Sequence, residues 1–138
     1  MSDDNIARYR RLIEDAFNRG RLGVIDEAFD PDYTGHDPAF PRRGPGGARR
    51  FAEVFHRAFS EFHYTVEEVV ASGDLVATRW TVTGVHSGSF LGIPATGKRV
   101  EVSGMSFNRF RDGKIVEGWI HWDTHGLLVQ LGLARPLQ

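Results

Sequence analysis

The sequence has no cysteine in its 138 residues. That excludes disulfides, thiolate nucleophiles and cysteine-bound zinc, and it fits a reducing compartment. No apolar run approaches the roughly 18 residues a membrane-spanning helix needs. The opening Met-Ser-Asp-Asp-Asn is too acidic and polar for a secretory leader. Excess charge is also missing: 17 basic residues face 18 acidic ones, a formal net charge of −1. This leaves no electrostatic case for nucleic acid or an anionic membrane. The pairs Arg10-Arg11, Arg42-Arg43 and Arg49-Arg50 stand out, but the first 60 residues hold ten Arg against ten Asp or Glu. They read as a solvated, mixed-charge surface. Together these absences predict a soluble, cytoplasmic protein.

Several chemical signatures are absent as well. His36, His86, His121 and His125 with Asp123 supply enough ligand types for a metal, but no His-Glu-x-x-His spacing occurs. No metal site is expected. There is no Gly-x-Ser-x-Gly elbow, so an acyl-enzyme hydrolase is disfavoured. Gly92 to Lys98 matches the first seven positions of a phosphate-binding loop. Arg99, however, stands where Ser or Thr should hold magnesium, and the segment links two strands. It reads as a turn.

What remains is ample material for one compact domain spanning 1–138, with 41% hydrophobic residues. Ile6, Tyr9, Leu12, Ile13, Ala16 and Phe17 recur at helical spacing within a segment running from Asn5, and Gly20 closes that helix. Val24, Ile25, Ala28 and Phe29 form a short second helix, which Asp30-Pro31-Asp32 should stop. Tyr33 to Pro38 is a short polar-aromatic segment. Pro38 to Gly47 reads as a loop, placed to act as a lid. Ala48 to Phe62 predicts an amphipathic helix with Phe51, Val54, Phe55, Ala58, Phe59 and Phe62 on one face, a stripe expected to be core.

From His63 the pattern changes to strands: Tyr64–Ala71, Leu75–Ser87, Arg99–Arg111 and Lys114–Trp122. Ser72-Gly73-Asp74 and Asp112-Gly113 are the turns. Val76, Thr78, Trp80, Val82, Gly84 and His86 share one face of the second strand. Leu127, Leu128 and Leu131 suggest a final short helix. Helices followed by an antiparallel meander define an α+β class. A curved sheet with helices on one side encloses a cavity, the default place for a small molecule.

The segment Gly113 to Leu131 carries the densest chemistry. Counting alternation from Ile115, and with no bulge, Glu117, Trp119, His121 and Asp123 share a face. Tryptophan neighbours would then desolvate Asp123 and raise its pKa, fitting it for general acid/base work. The competing reading is an ordinary helix N-cap before Thr124-His125-Gly126-Leu127. His121 either tunes Asp123 or is a half-exposed strand histidine. His36 either orients a substrate carbonyl or is a turn histidine beside Asp37.

Several stretches resemble the SnoaL-like polyketide cyclases of the nuclear transport factor 2-like superfamily. They are Tyr33–Pro38, Phe62–Val66, Gly84–Pro94, Gly97-Lys98 and Gly113–Leu131, and the likeness covers nearly the whole chain. The resemblance implies a cone-shaped sheet wrapped by N-terminal helices and a hydrophobic cavity. It implies Asp123 as the acid/base residue; His121 and His36 would assist it as donors. Tyr33, Trp80, His86, Phe90, Trp119 and Trp122 would line the pocket. Cofactor-free aldol cyclisation of a hydrophobic, carbonyl-bearing molecule follows, in a homodimer paired through the outer sheet face. His121 departs from the family pattern. Isomerase, dehydratase or epoxide hydrolase chemistry on the same scaffold, or non-catalytic binding of a hydrophobic ligand, are the alternatives.

Overall fold

The computed structural model describes residues 2–137. The chain opens with α1 (Ser2–Leu12), which runs directly into a π-helical turn (Ile13–Asn18). Gly20, at φ +73°, breaks the helix as its lack of Cβ allows. Next come α2 (Gly23–Ala28), β1 (Phe29–His36), β2 (Arg42–Arg43) and α3 (Gly44–Ala58). The long strands follow: β3 (Phe59–Ser72), β4 (Leu75–His86), β5 (Arg99–Arg111) and β6 (Lys114–Trp122). Helix α4 (Thr124–Gln130) closes the order.

The six strands form one curved sheet in the order β2-β1-β6-β5-β4-β3, and the fold is α+β with N-terminal helices packed on the sheet. Long antiparallel ladders join β3 to β6, with tight turns at Gly73 and at Asp112-Gly113. One pairing breaks the antiparallel expectation: β1 runs parallel to β6, with Thr34 opposite Glu117 and His36 opposite Trp119. Asp30-Pro31-Asp32 does not end a helix. It lies inside β1, where Phe29 has already become extended. Pro31 falls where the β1–β6 register shifts, so its missing N–H costs no ladder bond.

Helix α3 also differs from its expected bounds. It begins at Gly44 with Pro45 in its first turn, a position where proline's fixed φ suits a helix. It ends at Ala58, and Phe59 to Phe62 belong to β3. Glu61 takes a left-handed φ of 53° at a register break between Ser60 and His63, which bends the strand over the helices.

Two apolar clusters hold the fold. One joins α1 and α2 to the sheet around Ile25, Ile115, Val76 and Tyr9. The other packs Phe59, Phe90, Val100, Leu127 and Leu131 at the opposite end. Fully burying one such side chain contributes roughly 1.5–3 kcal/mol. The cavity lies between these clusters. No described helix is long and apolar enough to cross a membrane.

Candidate active site

The cavity is walled mainly by aromatic rings. Phe51 and Phe55 reach in from α3, Phe59, Phe62 and Tyr64 from β3, and Trp80 and Trp122 from β4 and β6. The empty space among the lining side chains is about 900 Å³, including the part open to solvent. The aromatic stripe of α3, expected to be plain core, is therefore cavity wall. Phe51 and Phe55 tilt against each other with centroids 4.7 Å apart, and Phe55 stacks on Phe59 at 6.0 Å.

One lateral row of the sheet builds the polar part of the wall. Arg42 on β2 faces Gly35 on β1. Gly35 faces Gly118 on β6, which faces Asn108 on β5. The two glycines leave side-chain space that flanking groups fill. A methyl group at Gly118 would stand 2.6 Å from Asn108 Oδ1 and 3.4 Å from the Tyr33 hydroxyl, and one at Gly35 would overlap that same hydroxyl. Arg42, Tyr33 and Asn108 thus converge on one patch, and all three line the cavity.

Arg42 is the one charged residue among the described lining residues. Its side chain is only 9% exposed. The guanidinium carbon lies 3.4 Å above the Phe51 ring, and Nη2 donates to Asp37 Oδ2 at 2.7 Å. Its Nε is buried and has no hydrogen-bond partner among the described residues. Asp37, at the end of β1, accepts from four donors: the backbone N–H of Ala39 and Phe40, Arg42, and Trp122 Nε1 at 3.0 Å. A buried carboxylate this well bonded is compensated for its lost hydration. It fixes the guanidinium against Phe51 and ties it to Trp122, the last residue of β6.

The other cavity polar groups are neutral. Tyr9, Tyr33 and Tyr64 all have phenol pKa values raised by burial, Tyr64 well above its ordinary value. Nearby Arg42 opposes the shift at Tyr33, but burial outweighs it. All three stay protonated donors at neutral pH.

The residues singled out from sequence divide into three groups. Tyr33, Trp80 and Trp122 line the cavity. His86 and Phe90 are buried outside its lining. His86 Nδ1 accepts from Thr96 N–H at 3.2 Å, so its proton is on Nε2, and Phe90 packs on Phe55 and Phe59. The remainder sit on the outer surface. His36 is 47% exposed, bonds Glu117 Oε2 at 2.7 Å and stacks on Trp119. His121 and Asp123 are exposed.

This corrects the expected inward face of β6. Arg109 pairs with Glu117, but Phe110 pairs with Ile115, so Val116 is an extra residue. A bulge of this kind reverses the alternation beyond it. Ile115 points inward before the bulge, and Ile120 and Trp122 do so after it. Trp119 and His121 turn outward. Asp123 then caps α4, with Oδ1 accepting from Gly126 N–H at 2.9 Å. No tryptophan encloses it. Arg42, Asp37 and Asn108 were missed: Arg42 looked like half of a surface arginine pair, and Asp37 a partner for His36. The available signal was the Gly-x-Asp-Pro spacing after Tyr33.

A six-stranded α+β cone around an aromatic cavity with one buried cation describes a class of small-molecule proteins. The chain matches the SnoaL-like polyketide cyclase family model over residues 7–131 and belongs to that family. It is 31% identical to the aklanonic acid methyl ester cyclase of Streptomyces peucetius over 133 residues, 92% of this chain and 90% of that one. It is 34% identical to the nogalonic acid methyl ester cyclase of Streptomyces nogalater over 127 residues, covering 88% and 92%. Among solved structures, AclR from Streptomyces galilaeus, provisionally named a hydroxylase, superposes with a TM-score of 0.87 at 30% identity, covering 100% of this chain and 91% of AclR. TsrD from Streptomyces laurentii gives 0.86 at 28% identity, covering 95% and 96%. The named curated relatives are enzymes.

Proposed function

We propose that the chain catalyses cofactor-free ring closure of a hydrophobic, carbonyl-bearing small molecule, an intramolecular aldol addition of polyketide type. One observation carries the reading: an aromatic-walled cavity whose charged group is a buried arginine with an unpartnered Nε–H. A substrate carbon flanked by two carbonyls loses its proton to water. The remaining electron pair spreads onto the carbonyl oxygens. Arg42 stabilises this enolate, and the low-dielectric wall makes its charge count for more than it would in water. The aromatic surfaces fold the chain so that the enolate carbon meets a second carbonyl. The C–C bond forms, the carbonyl π pair moves to oxygen, and the new alkoxide takes a proton from the Tyr33 phenol. Water then restores the phenol. Asp37 acts through Arg42 by positioning it. In this reading Asp123, His121 and His36 stand outside the chemistry.

The test uses aklanonic acid methyl ester and nogalonic acid methyl ester as probes, named for the relatives that act on them. Arg42→Met should lower kcat/KM on a turned-over probe by about 10²–10³-fold. An Arg42→Met variant as active as the parent sinks the reading. A second reading is favoured by the lack of any carboxylate or imidazole among the described lining residues: a binding module for hydrophobic anions. Tight binding of both probes with no turnover by the unmodified chain would select it. The same proposal includes a homodimer through the outer sheet face, where Met105 and Phe107 are exposed.

A further inference from the structure

The cyclisation uses one end of the polar wall. A second polar group lines the same cavity and takes no part in it. Thr78 Oγ1 donates to the Tyr9 hydroxyl at 3.3 Å, and the Tyr9 and Tyr64 hydroxyls are 3.2 Å apart. Three hydroxyls joined by two bonds always leave one hydrogen over. If Tyr9 donates to Tyr64, the spare hydrogen is on Tyr64. If Tyr64 donates to Tyr9, it is on Tyr9. Both residues line the cavity. Beside them, the Tyr64 and Trp80 rings lie 5.2 Å apart, and Trp80 Nε1 donates to Ser106 Oγ at 2.9 Å. Ser106 is 7% exposed and lines the cavity, and no described residue accepts its hydroxyl hydrogen.

Two spare hydroxyl hydrogens therefore remain in an apolar setting of Trp80, Val82 and Ile120. A buried donor without an acceptor costs free energy that a ligand acceptor recovers. No cation or carboxylate is in this group, so the matching ligand atom is a neutral acceptor. Ser106 pairs with Thr78 and Ile120, one row from the Asn108–Gly118 row. Two residues along a strand span about 7 Å.

We infer that Ser106 and the Tyr9–Tyr64 pair form a second ligand-binding station, one that accepts a neutral carbonyl oxygen about 7 Å along the sheet from the Asn108–Gly118 row, while the oxyanion is held at Arg42. This rests on the proposed function for the Arg42 end and narrows the ligand class: flat, apolar molecules with one ionised oxygen function and a separate ring ketone. Burial keeps both phenols protonated, as a donor station needs.

The experiment uses the full chain and two flat probes of equal charge and nearly equal shape, anthraquinone-2-carboxylate and anthracene-2-carboxylate. They differ by the two ring carbonyls. Calorimetry should give a preference of about tenfold for the quinone. Tyr64→Phe and Ser106→Ala should each reduce that preference while leaving the anthracene affinity within about twofold. Ser106→Ala leaves the tyrosines intact and serves alone if Tyr64→Phe does not fold. Equal affinities in the unmodified chain overturn the station, as does a preference that survives both substitutions. Failure of the quinone to bind overturns it too. Arg42→Met separates the two readings. Loss of affinity for both probes with the preference kept supports the station and the cation together. Unchanged affinities with the preference kept support the station and sink the Arg42 reading.

Discussion

Arg42 and Asp37 are side chains 9% and 1% exposed, so their pairing is paid for in desolvation. Removing one partner strands the other. Asp37→Ala should therefore destabilise the fold by about 3–5 kcal/mol, because it leaves a buried guanidinium uncompensated. Urea denaturation checks this, and a loss under about 1 kcal/mol would show that the guanidinium reaches water. Asp123 makes the opposite case. It is exposed and its bond to Gly126 N–H is that of a helix cap. Asp123→Ala should cost about 1 kcal/mol in the same assay and leave turnover within about twofold. A collapse of kcat with unchanged stability would return the aspartate to the chemistry. Sequence alone posed the choice between acid and cap, while the side on which Asp123 falls depends on one extra residue, Val116, in the β5–β6 ladder.

At the scale of elements, local signals were legible and non-local pairings were not. The turn at Asp112-Gly113 combines φ values of 52° and 79°, which short-range chemistry announces. The alternation of β4 also holds: Val76, Thr78, Trp80, Gly84 and His86 are buried on one face. Strand β1 was hidden, since Asp30-Pro31-Asp32 reads as a helix stop until a parallel partner extends it. With β1 hidden, the row from Arg42 through Gly35 and Gly118 to Asn108 could not be assembled, and the site went with it. That row yields a prediction. A methyl group at Gly118 presses on the ends of Asn108 and Tyr33, which are side chains rather than backbone. Gly118→Ala should shift the melting temperature by only a few degrees. It should lower kcat/KM at least tenfold by displacing both groups from the ligand. Comparable losses in stability and activity would mean that the glycine serves packing alone.

The whole molecule buries three phenols, and this sets its alkaline limit. Tyr9, Tyr33 and Tyr64 ionise in the unfolded chain near their ordinary value of 10.0 but later in the folded one. Above pH 10 the unfolded state binds fewer protons than the folded state, so unfolding free energy falls as pH rises. Their contribution is complete below pH 10 and is lost progressively as pH climbs through the raised folded values. Urea titrations between pH 8 and 11 should show a flat region and then a decline that Tyr64→Phe makes shallower. A slope untouched by that substitution would place the titrating group elsewhere. The opposite face of the sheet carries the proposed dimer contact. Val70, Met105 and Phe107 are 66%, 62% and 51% exposed. Phe107 pairs with Ala77 and Trp119, which gathers apolar surface on one side of a sheet whose other side is the cavity. Isolated apolar side chains on a surface need no partner, whereas a contiguous patch is the surface a second copy would cover. Light scattering should give twice the chain's 15.5 kDa mass. Phe107→Glu should halve that mass while leaving the cavity's ligand affinity intact, since Phe107 lies outside its lining. A monomeric parent at tens of micromolar would end the dimer reading. A Phe107→Glu dimer would move the interface off this face.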